Sequence, residues 1–145
     1  MKKKRRTNRP PRTRALAIKR PTDGELEILR SLWALGPSTV REVLAHLERE
    51  SGYTTVLKLL QIMTEKGLVD REKRGNTHVY WAAISQDATQ RHLVRDLINR
   101  AFPGSMQKLV MQALTEQPAS RDELAEIRAL LDSLEENSPD EEGAS

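Results

Sequence analysis

The sequence predicts a mainly α-helical chain with one small β-hairpin, arranged as a winged helix-turn-helix domain followed by a C-terminal helical dimerisation region. Three observations carry this. Three segments with helical apolar spacing stand between Thr22 and Gly67, separated by short turn signals. Two short extended runs around Gly75 and Asn76 follow at once. Beyond Ser85 come three amphipathic stretches with wide apolar stripes and little further chain to cover them. The expected organisation is a disordered basic arm at 1–21, the winged domain at 22–84, the dimerisation region at 85–136 and a disordered acidic tail at 137–145.

Composition narrows the classes. The 145 residues fit one domain with an appendage, and 37% hydrophobic residues allow only a small core. The chain has no cysteine, which excludes disulfides, thiolate metal sites and a Cys nucleophile, and fits a cytoplasmic protein. Only Ala15 to Ile18 follow the basic N-terminus as an apolar run, too short for a signal peptide, and nothing approaches a membrane span, so no membrane insertion is expected. The net charge of +3 hides an asymmetry: residues 1–20 hold ten Lys/Arg and no acid, whereas residues 132–145 hold six Asp/Glu and no base. The body between them has 14 basic and 15 acidic residues, so its charge alone does not make it a nucleic-acid binder.

Like charges and three prolines keep the arm from building a core. It is either a solvated tail or an arm that lies on nucleic-acid phosphates. Thr22 to Glu25 has the spacing of a capping box and opens a helix to about Leu35, with Leu26, Leu29, Leu32 and Trp33 facing inward. Gly36 and Pro37 stop it. Thr39 to Glu42 is a second capping box, opening a helix to about Glu50 with Val40, Val43, Leu44 and Leu47 apolar. After the turn at Ser51 and Gly52 comes a third helix, Tyr53 to Lys66, closed by Gly67. Val56, Leu59, Leu60 and Met63 share its inner face. Thr54, Thr55, Lys58, Gln61 and Glu65 lie largely on the other, which offers hydroxyls, an amide and a cation. Such groups can hydrogen-bond base edges or reach phosphates. By itself this is equally the polar side of an ordinary buried helix.

The next stretch decides between them. Leu68 to Trp81 forms two extended runs around Arg74, Gly75 and Asn76, where Gly and Asn tolerate the positive φ of a tight hairpin. A hairpin directly after a helix-turn-helix is a wing, and Lys73 and Arg74 at its tip sit where a wing meets a DNA backbone. Double-stranded DNA is therefore the expected partner, with Tyr53, Thr54, Thr55, Lys58, Gln61, Lys73 and Arg74 as contact residues.

Ser85 caps a long helix to about Phe102, with Leu93, Val94, Leu97, Ile98 and Phe102 on its stripe. Pro103 and Gly104 break it. Ser105 is expected to cap a helix bearing Leu109, Val110 and Leu114, and Ser120 to Glu123 forms a third capping box. The last helix places Leu124, Ile127, Leu131 and Leu134 at alternating spacings of 3 and 4, a seam like that of a coiled coil. These helices either fold back on the winged domain or meet a second copy. A homodimer is expected, with Leu93, Leu97, Phe102, Leu109, Val110, Leu124, Ile127 and Leu131 at the interface.

No catalytic constellation is present. His46, His78 and His92 lie on different elements without ligand spacing, and the seven glycines form no phosphate loop. No metal, cofactor or enzymatic activity is expected.

The order of parts over residues 22–134 resembles the penicillinase-repressor family of winged-helix repressors, which includes the β-lactamase, methicillin-resistance and copper-transport repressors. The resemblance rests on TDGELEILRSLW (22–33), GPSTVREVLAHL (36–47), YTTVLKLLQIMTEKGLVDRE (53–72), GNTHVYWAAIS (75–85), LVMQAL (109–114) and DELAEIRALL (122–131). It implies a homodimeric repressor on a palindromic operator, with the third helix in the major groove and Thr54, Thr55 and Lys58 at the family's DNA-contact positions. In lactam-responsive members a membrane-bound sensor protease leads to cleavage of the repressor, and the aligned bond here is Gln112–Ala113. Members with that cleavage carry Asn-Phe at this position. Copper-responsive members use C-terminal cysteines, which this chain lacks. Ile62 stands where many relatives have Arg, and the long basic arm lies outside the family pattern. The reading that competes with a DNA-binding repressor is a winged helix whose third helix meets a protein without specific DNA binding.

Overall fold

The structure is a computed structural model that describes residues 20–47 and 51–138. Its elements in order are α1 (Asp23–Leu35), α2 (Val40–His46), α3 (Tyr53–Lys66), β1 (Val69–Arg74), β2 (Thr77–Ala82), α4 (Gln86–Ala101), α5 (Met106–Glu116) and α6 (Arg121–Asn137). This is the expected mainly helical, winged helix-turn-helix architecture with a C-terminal helical region. Residues 1–19 of the expected arm and 139–145 of the expected tail lie outside the described residues, whereas Asn137, expected in the tail, is the last residue of α6.

All three capping boxes form. Thr22 and Glu25, Thr39 and Glu42, and Ser120 and Glu123 each exchange two hydrogen bonds between side chains and backbone. Each satisfies donors that a helix start would leave orphaned. The inward stripe of α1 is rotated from the expected one: Ile28, Leu29 and Leu32 are buried, whereas Leu26 and Trp33 are only half-buried. Glu25 joins that buried face because it has a partner there, Lys66. The second helix is shorter than expected. It ends at His46, where Leu47 turns extended (φ −69°, ψ 141°) and packs against the core. Its expected continuation to Glu50 falls on residues 48–50, outside the described residues.

α3 begins at Tyr53 and ends at Lys66, as its periodicity predicts. Gly67 (φ 84°, ψ 12°) supplies the left-handed residue that ends it. The Gly67 N–H donates to the Thr64 carbonyl and the Leu68 N–H to the Met63 carbonyl, at 3.2 and 2.9 Å. That is a Schellman stop, with Met63 and Leu68 both buried as its apolar contact. The chain therefore leaves α3 in a fixed direction and enters the hairpin two residues later.

The two strands pair antiparallel from Val69 with Ala82 to Arg74 with Thr77, leaving Gly75 and Asn76 as a two-residue loop. Only Gly75 has positive φ (63°), since no described non-glycine residue does. The tip thus has the Gly-first pattern of a type II′ turn, and Asn76 does not share the left-handed conformation expected of it. A third edge was not expected: Ser38, between α1 and α2, bridges Tyr80, with N–H donors 2.8 and 2.7 Å from the facing carbonyls. Trp33 Nε1 donates to the Ile84 carbonyl at 3.0 Å, tying α1 to the chain leaving β2. The core collects Ile28, Leu29, Leu32, Val43, Val56, Leu60, Met63, Leu68, Val69, Tyr80 and Ile84.

The chain forms two compact units, residues 1–96 and 97–145. The division falls within α4 rather than at its start. Thr89 is buried, and Arg20 pairs with Asp96 at 2.6 Å. Arg20 and the buried Pro21, expected at the end of the arm, therefore belong to the folded part. Ser85 Oγ accepts the Ala88 N–H at the start of α4, as expected of a cap. Ser105 precedes α5 without a side-chain cap bond, its backbone (φ −144°, ψ 66°) lying outside the usual cap geometry. In the second unit, α5 and α6 contain no buried residue.

Candidate nucleic-acid interface

The two faces of α3 separate cleanly. Val56, Leu60 and Met63 are buried, while Thr54, Thr55, Lys58, Gln61 and Glu65 are exposed. Among the described residues of the first unit, the expected reading face stays exposed. At its N-terminal end Tyr53 is 41% exposed, and the Arg41 guanidinium of α2 lies 5.0 Å from its ring centroid. That cation–π contact places a positive charge beside the start of α3.

The hairpin stands next to this face. Strand alternation and register put Val69, Arg71 and Lys73 on one side of it, with Ala82, Tyr80 and His78 opposite them. The other side carries Asp70, Glu72 and Arg74. The two expected tip cations therefore part company: Lys73 shares a face with Arg71 and His78, whereas Arg74 donates to Glu72 at 3.4 Å. Between α2, α3 and the hairpin lies an open cleft of about 550 Å³, whose lining includes Arg41, Tyr53, Gln61, Arg71, His78 and Tyr80. No Asp or Glu is among the described residues that line it. Lowered by loss of hydration first, and then by the nearby Arg71 and Lys73 charges, the pKa of His78 lies below its ordinary 6.5.

Arg41, Arg71 and His78 escaped the sequence reading. The two-residue alternation running back from Lys73 points to Arg71, and pairing across the hairpin points to His78. Arg41 required knowledge of how α2 sits beside α3.

The expected interface residues of the C-terminal helices are poorly covered. Leu97, Val110 and Leu131 are exposed, and Leu93, Phe102, Leu109, Leu124 and Ile127 are half-buried. Met106, Met111, Leu130 and Leu134 add further exposed apolar surface. Gln112 and Ala113, the bond aligned with the family's cleavage point, are exposed on α5. Among the described residues no group of acids and histidines could hold a metal ion, and no helix is long and apolar enough to cross a membrane.

A helix-turn-helix with an exposed outer face on its third helix and an adjoining wing defines the class, a winged helix-turn-helix domain. The family model for the penicillinase repressor matches residues 21–133, and the chain belongs to that family. It is a DNA-binding transcriptional repressor, not an enzyme. The methicillin resistance regulatory protein MecI of Staphylococcus aureus is 20% identical over 112 residues, covering 76% of this chain and 91% of the relative. The penicillinase repressor of Bacillus licheniformis is 24% identical over 113 residues, covering 77% and 88%. Among solved structures, a crystal structure of a MarR family transcription regulator aligns with a TM-score of 0.49 at 19% identity, over 91% of this chain and 81% of that one.

Proposed function

We propose that the protein represses transcription as a homodimer on a palindromic operator. In this reading α3 enters the major groove, Thr54, Thr55, Lys58 and Gln61 meet base edges, and Tyr53, Lys73 and Arg74 contact the backbone. The observation that carries it is the exposed outer face of α3 beside the wing, polar but with few long charges, over an inner face on which Val56, Leu60 and Met63 are buried and Leu59 is half-buried. Hydroxyls, amides and a lysine presented in this way can hydrogen-bond base edges, which is what sequence reading requires beyond phosphate contact.

Dimerisation is supported by helices α5 and α6, which have no fully buried residue yet expose Val110, Met111, Leu130, Leu131 and Leu134. Apolar surface of this kind marks a protein contact, and a twofold pair would set two α3 helices against two half-sites. The basic arm adds phosphate contacts. We assign no cleavage step to Gln112–Ala113, whose residues differ from the family's cleaved pair.

A gel shift on the promoter region beside its own gene, with excess competitor DNA, tests the reading. A shift that survives competitor and has the stoichiometry of two chains per site is expected. Loss of the shift in competitor would leave a winged helix that meets protein instead.

A further inference from the structure

The cleft between the helix-turn-helix and the wing has the chemistry of an anion seat, and its cationic residues, Arg41 and Arg71, are not among those assigned above to base reading or to the wing tip. Two guanidiniums, Arg41 and Arg71, line it from opposite elements, α2 and β1. Arg41 is held over the Tyr53 ring, so one of the two charges is positioned before any ligand arrives. His78 on β2 completes the cationic side, beside Tyr80 with ring centroids 6.2 Å apart. The Tyr80 hydroxyl is buried and, among the described residues, is the one buried side-chain polar atom without a hydrogen-bond partner. The body as a whole has more acids than bases, yet no carboxylate lines this cleft among the described residues.

We propose that the cleft seats a backbone phosphate of bound DNA between Arg41 and Arg71, and that His78 takes up a proton when the phosphate arrives. This rests on the reading of the protein as a DNA-binding repressor and adds a proton to its binding equilibrium. In the free protein the groups facing His78 are Arg71 and Lys73 on β1, Tyr80 on its own strand, Arg41 on α2, and Tyr53 and Gln61 on α3. Loss of hydration first, and then the Arg71 and Lys73 charges, hold the His78 pKa below 6.5 and favour the neutral imidazole. A phosphate in their midst offsets those charges and favours the imidazolium. The sign follows by linkage: the bound form has the higher pKa, so affinity is gained as pH falls and levels off below the free value, itself under 6.5. One proton per chain limits the gain to about tenfold per pH unit for each chain bound.

The test is operator binding by fluorescence anisotropy at constant ionic strength between pH 8 and pH 5.5, with the full chain and with His78→Gln. The full chain should bind more tightly as the pH falls, and His78→Gln should show a flat or much shallower profile over the same range. Arg71→Gln should flatten the pH profile as well and reduce the salt slope by about 0.9 per chain, the share of one neutralised phosphate. Parallel profiles for the full chain and His78→Gln would place the titrating group elsewhere and overturn the proposal. Absence of competitor-resistant binding at any pH would instead overturn the DNA-binding reading beneath it. Ring resonances of His78 that move with duplex but not with millimolar inorganic phosphate assign the seat to DNA. Resonances that saturate with phosphate alone would make it a site for the free ion and overturn the backbone assignment.

Discussion

Glu25 at the start of α1 and Lys66 at the end of α3 form an ion pair inside the protein, with Lys66 Nζ 2.9 and 2.8 Å from the two carboxylate oxygens. Glu25 is 2% exposed, and the same carboxylate accepts the Thr22 N–H at 3.0 Å to complete the capping box of α1. One side chain therefore both caps a helix and fixes where α3 ends. Removing the cation should be harmful because the carboxylate would stay buried and short of a partner. Lys66→Met is expected to destabilise the fold by about 3 kcal/mol. Glu25→Gln keeps an acceptor for the cap and leaves Lys66, which reaches solvent, so its cost should be smaller. The double variant should recover part of the Lys66→Met loss. Urea unfolding of all four proteins checks this, and strictly additive losses would mean that the pair is not coupled.

On α3, Thr55→Ala and Lys58→Ala should each weaken specific operator binding by about 1–3 kcal/mol if the residue meets a base. Both side chains are exposed, so the thermal midpoint should stay within a degree or two of the parent, as for surface substitutions of roughly ±0.5 kcal/mol. Unchanged competitor-resistant binding in both variants would show that another face does the reading.

In the second unit, Ile127→Glu combined with Leu131→Glu should convert a dimer to a monomer at micromolar concentration. Neither position is buried within one chain, so the helix itself should persist by circular dichroism. Operator affinity should fall steeply, because two tethered half-site contacts act at high effective concentration and single ones do not. Sedimentation that finds the parent protein already monomeric would remove the basis for this.

The basic arm gives the fourth expectation. Deleting residues 2–19 leaves the Arg20–Asp96 pair in place. If about half of the arm's cations meet phosphates, the slope of log K against log salt should flatten by several units, at about 0.9 per phosphate neutralised on B-DNA. Affinity should fall for every sequence alike and the ranking of operator variants should survive, since phosphates carry no sequence information. An unchanged slope would make the arm a passive tail, and a changed ranking would mean that it reads a groove.

Local signals in the sequence were reliable wherever the physics is local. Capping boxes at Thr22, Thr39 and Ser120 need only a hydroxyl and a carboxylate three residues apart, and the stop at Gly67 needs only a residue at ease with positive φ. The two faces of α3 followed from periodicity. What escaped was set by contacts distant in sequence. Glu25 reads as an ordinary cap residue until Lys66 is brought to it, and the packing of α1 on distant elements buries Ile28 while Leu26 stays half-buried. Ser38 gives no strand signal, because its pairing with Tyr80 is a single bridge. The cationic cleft draws on α2, α3 and both strands, so no window of sequence contains it. Even within the hairpin, the register rather than the composition separates Lys73 from Arg74.

The bridge from Ser38 to Tyr80 has a mechanical consequence. A hairpin rooted only at its two ends could swing toward a duplex and away from it. Here a main-chain clasp joins β2 to the connection between α1 and α2, close to where Arg41 leaves α2, so the jaw formed by wing and helices is set at one gauge. Fitting on contact then falls to the DNA. A site whose backbone already runs at that gauge is engaged without deformation, and one that must bend or widen to fit is penalised at base pairs the protein never touches. On the proposed reading, the repressor would in this way respond to the shape of its operator as well as to its letters.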